Sequence, residues 1–305
     1  MGQVEYQTTL NTTVICAGIG VHSGVRARMV IKPAAVNTGI RFRRTDLGIE
    51  SDILARGDHV TEVQLGTTLT NEDGATIATV EHFLAACAGM GLDNLLVEID
   101  GPEVPIMDGS SSVFCELFHN SGLKQQTALR RRIRILDTVE VQDGVKWARL
   151  SPSQDNLLTL KAKIEFETKA IGTQQMAMRL VPGLFARDIA FARTFGFARD
   201  VETLKAMGLA RGGSLDNAVV IDGDDIVNPE GLRSDDEFIR HKLLDAVGDL
   251  MLSGAPIAGQ YEAHQPGHAM NNKLVRALLD QPEAWCWETD AELLEPAVAR
   301  ASLSA

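Results

Sequence analysis

The stretch FIRHKLLDAVGDL, Phe238 to Leu250, sets the reading of the whole chain. Leu243, Leu244, Val247 and Leu250 recur at helical spacing, and the periodic run predicts a helix from Asp235 to Ser253. His241, Asp245 and Asp249 fall four residues apart within it. Residues so spaced stand one above another on a single helical face. Such a polar stripe is most often the solvent side of an amphipathic helix. The same spacing would also let His241 and Asp245 hold one metal ion. The choice depends on what else reaches that face.

Outward from this helix, the second half supplies the strand PIAGQYEAH and the helix HAMNNKLVRALL. Before it come RIRILDTVEVQDGVKWARL, with a hairpin signal at Asp143-Gly144, and the strand NLLTLKAKIEF. The first half opens with strand-like TTVICAG, VRARMVIKPA and GIRFRRTD, then a hairpin turn at Asn71 to Gly74. The helix VEHFLAACAGM follows, with Thr79 as its expected N-cap and Gly91 as its stop. NLLVEID is then a strand, and SSVFCELFHNSG a helix ending at Gly122. Strands, then helix, strand and helix, thus occurs twice. The fold class expected is α+β, with two similar domains at 1–125 and 131–305, each a β sheet covered by helices. The basic stretch LKQQTALRRR supplies a linker at 126–130.

Bulk properties narrow the function. A chain of 305 residues is long for one core, in keeping with two domains. Lys and Arg number 29 against 41 for Asp and Glu, a formal net charge of -12, which excludes a general nucleic-acid binder. No apolar run is long enough to span a bilayer. The start, MGQVEYQTTLN, lacks the regions of a signal peptide, and Tyr6 stands where a myristoylation signal needs Ser or Thr. The expectation is a cytoplasmic protein. Cys16, Cys87, Cys115 and Cys286 form no C-x-x-C pair, and Cys87 and Cys115 are expected as buried free thiols.

Duplication bears directly on the polar stripe. Glu81 and His82 lie on the first-half helix equivalent to the one carrying His241. Packed helix against helix, the two copies would bring a histidine from each into an interdomain cleft, where ligand sites concentrate. His82, His241 and Asp245 then form a two-histidine, one-carboxylate set that leaves a fourth position for water, as in catalytic zinc sites. Glu81 adjoins a ligand, as a general base should. The zinc-protease patterns H-E-x-x-H and H-x-x-E-H are absent, Ala78 standing where the second needs its histidine. An iron(II) oxygenase uses the same donors, though usually as H-x-D on barrel strands and without a carboxylate such as Glu81.

ATVEHFLAACAGMGLDN, PIMDGSS, FARTFGF, FIRHKLLDAVGDL and PGHAMNNKL, in this order, resemble the motifs of one family. It comprises the zinc-dependent UDP-3-O-acyl-N-acetylglucosamine deacetylases, which commit Gram-negative bacteria to lipid A and hence lipopolysaccharide synthesis. VICAGIGVHSG and NTGIRFRRTDL are similar to it as well. The resemblance implies two sheets with their helical layers packed between them. It implies Zn2+ on His82, His241 and Asp245, with Glu81 taking a proton from the attacking water. Thr194 would hold the oxyanion, His268 would protonate the departing amine, and Asp249 would orient His268. Lys242 would contact substrate, and Phe195, Val201, Ala218 and Val220 would line an apolar passage for the acyl chain. The substrate implied is an amphiphilic UDP-sugar that loses acetate, handled by a monomer with no stable membrane insertion and no nucleic acid. A zinc amidohydrolase acting on another amide is the alternative. A binding protein that keeps the fold without catalysis would need neither Glu81, Thr194 nor His268.

Two departures from the family pattern stand out. EFETKAIG, at the end of the strand reaching Phe166, lacks the His-Pro pair common there, and Gln265 stands where a basic residue is usual. Both bear on nucleotide and acyl contacts rather than on the metal. His22 in GIGVHSG reads as a hydrogen-bonded packing residue, and its glycines lack G-x-G-x-x-G spacing. His59, His119 and His264 take no role, and the run Asp222 to Asp225 reads as a turn rather than a calcium loop.

Overall fold

The alternating runs of the first half form strands as expected. The computed structural model describes residues 4–48 and 52–293. Residues 1–3, part of the start read for targeting signals, and 294–305, the end of the second expected domain, lie outside the described residues. In the first half the elements are β1 (Tyr6–Leu10), β2 (Val14–Ile19), β3 (Arg26–Pro33), β4 (Ile40–Arg44), β5 (Asp52–Leu54), β6 (Val60–Glu62), β7 (Thr68–Thr70) and β8 (Thr76–Ile77). They continue with α1 (Glu81–Met90), β9 (Leu95–Ile99), α2 (Ser112–Ser121) and β10 (Leu123–Leu129). The turn at Asn71 to Gly74 joins β7 to β8, which pair antiparallel.

The second half comprises β11 (Arg132–Ile135), β12 (Val139–Asp143), β13 (Lys146–Ser151), β14 (Leu158–Glu165), β15 (Thr173–Arg179), α3 (Pro182–Asp188), β16 (Phe195–Phe197) and α4 (Ala198–Ala206). After these come β17 (Val219–Asp222), β18 (Asp225–Ile226), α5 (Glu237–Met251), β19 (Ile257–His264), α6 (His268–Leu279) and β20 (Trp285–Glu288). Asp143-Gly144 turns β12 into β13, and Asp222 to Asp225 turns β17 into β18.

The duplication is visible strand by strand. The first sheet runs β2-β3-β9-β4-β5, and its successive pairings are antiparallel, antiparallel, parallel and antiparallel. In the second sheet β12, β13, β19, β14 and β15 pair in the same sequence of senses. One helix (α1 or α5) precedes the returning strand (β9 or β19), and a second (α2 or α6) follows it. The copies differ in what fills the gap before the first helix: β6 to β8 in one, and α3 to β18 in the other.

Burial shows how the copies meet. Eight residues of the ten in α1 and twelve of the fifteen in α5 are buried. A helix buried around its circumference needs cover on both sides. For α1 and α5 that cover is their own sheet and each other, so the helical layers lie between the sheets. The His241, Asp245, Asp249 stripe faces this seam, each residue about 1% exposed, and is no solvent face. At Gly248 a Cβ would overlap the backbone of Glu81, so only glycine lets the helices approach this closely. No helix among the described residues is long and apolar enough to cross a membrane.

Two local expectations are corrected. Residues 123–129 form β10, antiparallel to β1, where a linker at 126–130 was expected. The basic side chains beyond it are held by acids: Arg130 by Asp93 at 2.9 Å and Arg132 by Asp290 at 2.9 Å. We propose that the junction between the units is Arg130-Arg131. Thr79 does not cap α1. It has φ 57°, α1 begins at Glu81 after Val80, and the Thr79 hydroxyl donates to buried Glu103 at 2.8 Å. Buried Glu103, which also accepts the His22 and Ser23 N–H groups, claims the Thr79 hydroxyl, and the Val80 N–H is already bonded to the Thr67 carbonyl. By contrast Gly91 and Gly122 end α1 and α2 as expected, and Cys87 and Cys115 are buried free thiols.

Because α1 and α5 touch through Gly248, Gly248→Ala should lower stability by roughly 1–3 kcal/mol through overpacking. Denaturant unfolding measures this, and an unchanged midpoint would mean the helices are not in fixed contact there.

Candidate metal centre

His82 sits in the first turn of α1, and His241 and Asp245 sit one turn apart on α5. One ligand atom from each lies within 4.8 Å of the others, and all three residues are buried. The two imidazoles meet edge to face with ring centroids 5.0 Å apart. Both direct Nε2 at one oxygen, Asp245 Oδ1, from 3.5 Å for His82 and 3.3 Å for His241. That oxygen is buried and has no hydrogen bond among the described residues. Donor atoms separated in this way suit the corners of a tetrahedron centred about 2 Å from each, the usual length of zinc–nitrogen and zinc–oxygen bonds. The donor set therefore fits a small divalent cation.

Electrostatics support the same use. Burial drives the His241 pKa down to about 3, so its imidazole is neutral. Its Nδ1 faces the Ala192 carbonyl at 3.1 Å, which fixes the tautomer and leaves Nε2 as the donor. For Asp245 burial opposes ionisation, but His241, Lys242 and His268 outweigh it and hold the carboxyl well below its usual range.

Acid–base groups flank the cluster. Glu81, 2% exposed, places Oε1 3.8 Å from His268 Nε2 and accepts the Thr67 N–H at Oε2, 2.9 Å away. Burial raises its pKa, while His268 and His82 act against the rise. His268 begins α6 and turns Nδ1 to Asp249 Oδ2 at 3.0 Å. Burial disfavours its proton, but Asp249, Glu81 and Asp245 together push its pKa up to about 10. Asp249 also accepts the Thr67 hydroxyl at 2.7 Å and the Asn271 amide at 2.8 Å, and Tyr261 donates to Asn271 at 2.7 Å.

Of the remaining expected residues, Phe195 and Lys242 touch this core. Thr194 is half-buried just before β16, two residues beyond the Ala192 carbonyl that holds His241. Phe195 follows, its ring 4.9 Å from Phe238 and 6.1 Å from His241. Val201 lies on α4, and Ala218 and Val220 bracket buried Val219 on the neighbouring β17, all three half-buried. Lys242, expected only at the substrate, bonds Asp245 Oδ2 at 2.7 Å and so touches a ligand carboxylate. His22 donates its backbone N–H to Glu103 and places Nε2 3.0 Å from the Leu65 carbonyl, a packing role as expected. Gln265 bonds the Glu165 carbonyl.

Four participants escaped the sequence reading: Thr67, Asn271, Arg193 and Glu237. Buried Arg193 binds Glu237, at the start of α5, at 2.9 Å and so fixes the segment carrying Ala192 and Thr194, just before β16. Asn271 was within reach, since it stands three residues after His268 on the same helical face. Thr67 gave no signal, being 182 positions from its partner Asp249.

A family model described as UDP-3-O-acyl N-acetylglycosamine deacetylase matches residues 7–280. The UDP-3-O-acyl-N-acetylglucosamine deacetylase of Phenylobacterium zucineum is 49% identical over 294 residues, 96% of this chain and 100% of the relative. Those of Shewanella frigidimarina and Shewanella woodyi are 46% and 47% identical over 280 residues, 92% of each chain.

A cation site of this form should take up one equivalent of cobalt(II) with the visible absorption of a low-coordinate ion. His241→Ala should abolish that spectrum. A spectrum that survives the substitution would place the ion elsewhere.

Proposed function

The chain belongs to the UDP-3-O-acyl N-acetylglycosamine deacetylase family, and on that premise we propose that it removes acetate from UDP-3-O-(3-hydroxyacyl)-N-acetylglucosamine, the committed step of lipid A biosynthesis. The observation that carries the reading is the convergence of His82, His241 and Asp245 from both halves of the chain, with Glu81 and His268 facing each other beside them at 3.8 Å. We propose a cytoplasmic monomer that takes the amphiphilic UDP-sugar without stable membrane insertion.

Zinc held by His82, His241 and Asp245 would polarise the amide carbonyl and make water more acidic. The protein's own groups do the rest. Glu81 receives the proton of the attacking water on Oε1, since Oε2 is occupied by the Thr67 N–H. Thr194 donates to the carbonyl oxygen as negative charge builds there, a contribution of roughly 10²–10³ in rate for such donors. The amine cannot leave as an anion, so His268 delivers a proton from Nε2 while Asp249 holds Nδ1. Lys242 contacts substrate at the edge between Asp245 and Phe195. Phe195, Val201, Ala218 and Val220 line the passage for the acyl chain, where each buried methylene contributes about 0.8 kcal/mol. Holding the chain fixes the acetamide at the reacting groups, so its loss should lower kcat as well as weaken binding.

Glu81→Gln and His268→Ala should each lower kcat by roughly 10²–10⁴ with zinc content intact. Loss of zinc in Glu81→Gln would instead make that carboxylate a ligand. His268 must be protonated to act, and carboxylates raise its proton affinity, so activity should fail as pH rises through its pKa. Asp249→Asn should therefore move the alkaline limb of kcat to lower pH, and an unmoved limb would take the acid role from His268.

UDP-N-acetylglucosamine without the acyl group should be a far poorer substrate in kcat/KM. Ala218→Phe or Val201→Trp should penalise long chains more than short ones. Equal kcat/KM with and without the acyl group would remove the passage and point to another amide.

A further inference from the structure

We propose that Thr67 is the positioning residue that locks the base Glu81 and the acid His268 into one register across the seam between the two halves. Thr67 is about 1% exposed and immediately precedes β7. Each of its polar groups is committed. Its N–H donates to Glu81 Oε2 at 2.9 Å, and its hydroxyl donates to Asp249 Oδ1 at 2.7 Å. Its carbonyl accepts the Val80 N–H at 3.3 Å, at the start of the helix that carries Glu81.

These bonds divide the labour of both carboxylates. Glu81 has one oxygen held by Thr67, leaving Oε1 as the oxygen that faces His268 Nε2. Asp249 has Oδ1 held from the first half by Thr67, while Oδ2 receives His268 and Asn271 from α6. Without the hydroxyl, Asp249 could rotate about its χ2 torsion and carry the His268 ring with it. The distance between the proton acceptor and the proton donor is thus set by a residue that need not touch substrate. Groups misplaced by about 1 Å lose on the order of 100-fold in rate.

The inference rests on Glu81 and His268 being the proton-transfer pair, so the test carries both levels. Thr67→Val keeps the volume and the backbone bonds but removes the hydroxyl, whereas Thr67→Ser keeps the hydroxyl. In the zinc-loaded enzyme Thr67→Val should lower kcat on the order of 100-fold with KM little changed and zinc content intact. Thr67→Ser should restore most of the rate. The downfield proton resonance of the His268 Nδ1–H should shift or broaden in Thr67→Val and return in Thr67→Ser, a change that a purely structural residue would not cause. Wild-type kcat in Thr67→Val overturns the inference. If Thr67→Val does not fold, Thr67→Cys decides in its place, because a thiol is a weak donor: a depressed kcat in the folded protein upholds the role, and a wild-type kcat removes it. Loss of activity in Glu81→Gln and His268→Ala beside a normal Thr67→Val confines the failure to Thr67. Full activity in those two variants would remove the proton-transfer reading itself.

Discussion

Three donor atoms carried by helices from the two halves of the chain have to converge within 4.8 Å of one another, and the rest of the structure answers to that requirement. One histidine comes from α1, and the other histidine and the aspartate come from α5. The two helices must therefore pack face to face with almost no tolerance. Gly248 against the backbone of Glu81 is where this is met sterically. The seam also has to contain charge, because Glu81, Asp245, Asp249 and His268 lie inside it. Buried charges are tolerable only when each has partners. Asp249 illustrates the solution, with donors from Thr67 in one half and from His268 and Asn271 in the other.

The shared strand order makes the division of labour clear. Both halves have the same five-strand pairing and the same helix placements, yet they contribute unequally. The first half supplies Glu81 and His82 from the start of its first helix, with Thr67 beside them. The second supplies His241 and Asp245 from its first helix and His268 from the start of its second. Where the first half has the short strands β6 to β8, the second inserts α3 to β18, which brings Phe195 to within 6.1 Å of the His241 ring. A common frame thus acquires its cluster of ionisable groups from α1, α5 and α6.

Much of this could be read from the chain. Helical and alternating periodicity located the main strands and helices, and α6 matches HAMNNKLVRALL at both ends. The repeated order of elements was enough to place His82 opposite His241. What escaped the reading depends on competition that spacing does not record. Thr79 has the right side chain for an N-cap, but Glu103, distant in sequence, claims its hydroxyl. The stretch 126–130 looks like a solvated linker until β1 is available as a pairing partner. Lys242, expected at the substrate, also bonds Asp245 one turn along the helix. Thr67 carries no local signal because its meaning comes entirely from Glu81 and Asp249.

Acetate release from the acylated UDP-sugar tests the central claim most directly, measured on the purified protein before chelation, after chelation and after return of one equivalent of zinc. The expected outcome is activity, its loss, and its recovery at one zinc per chain. Undiminished acetate release from the metal-free protein would contradict it.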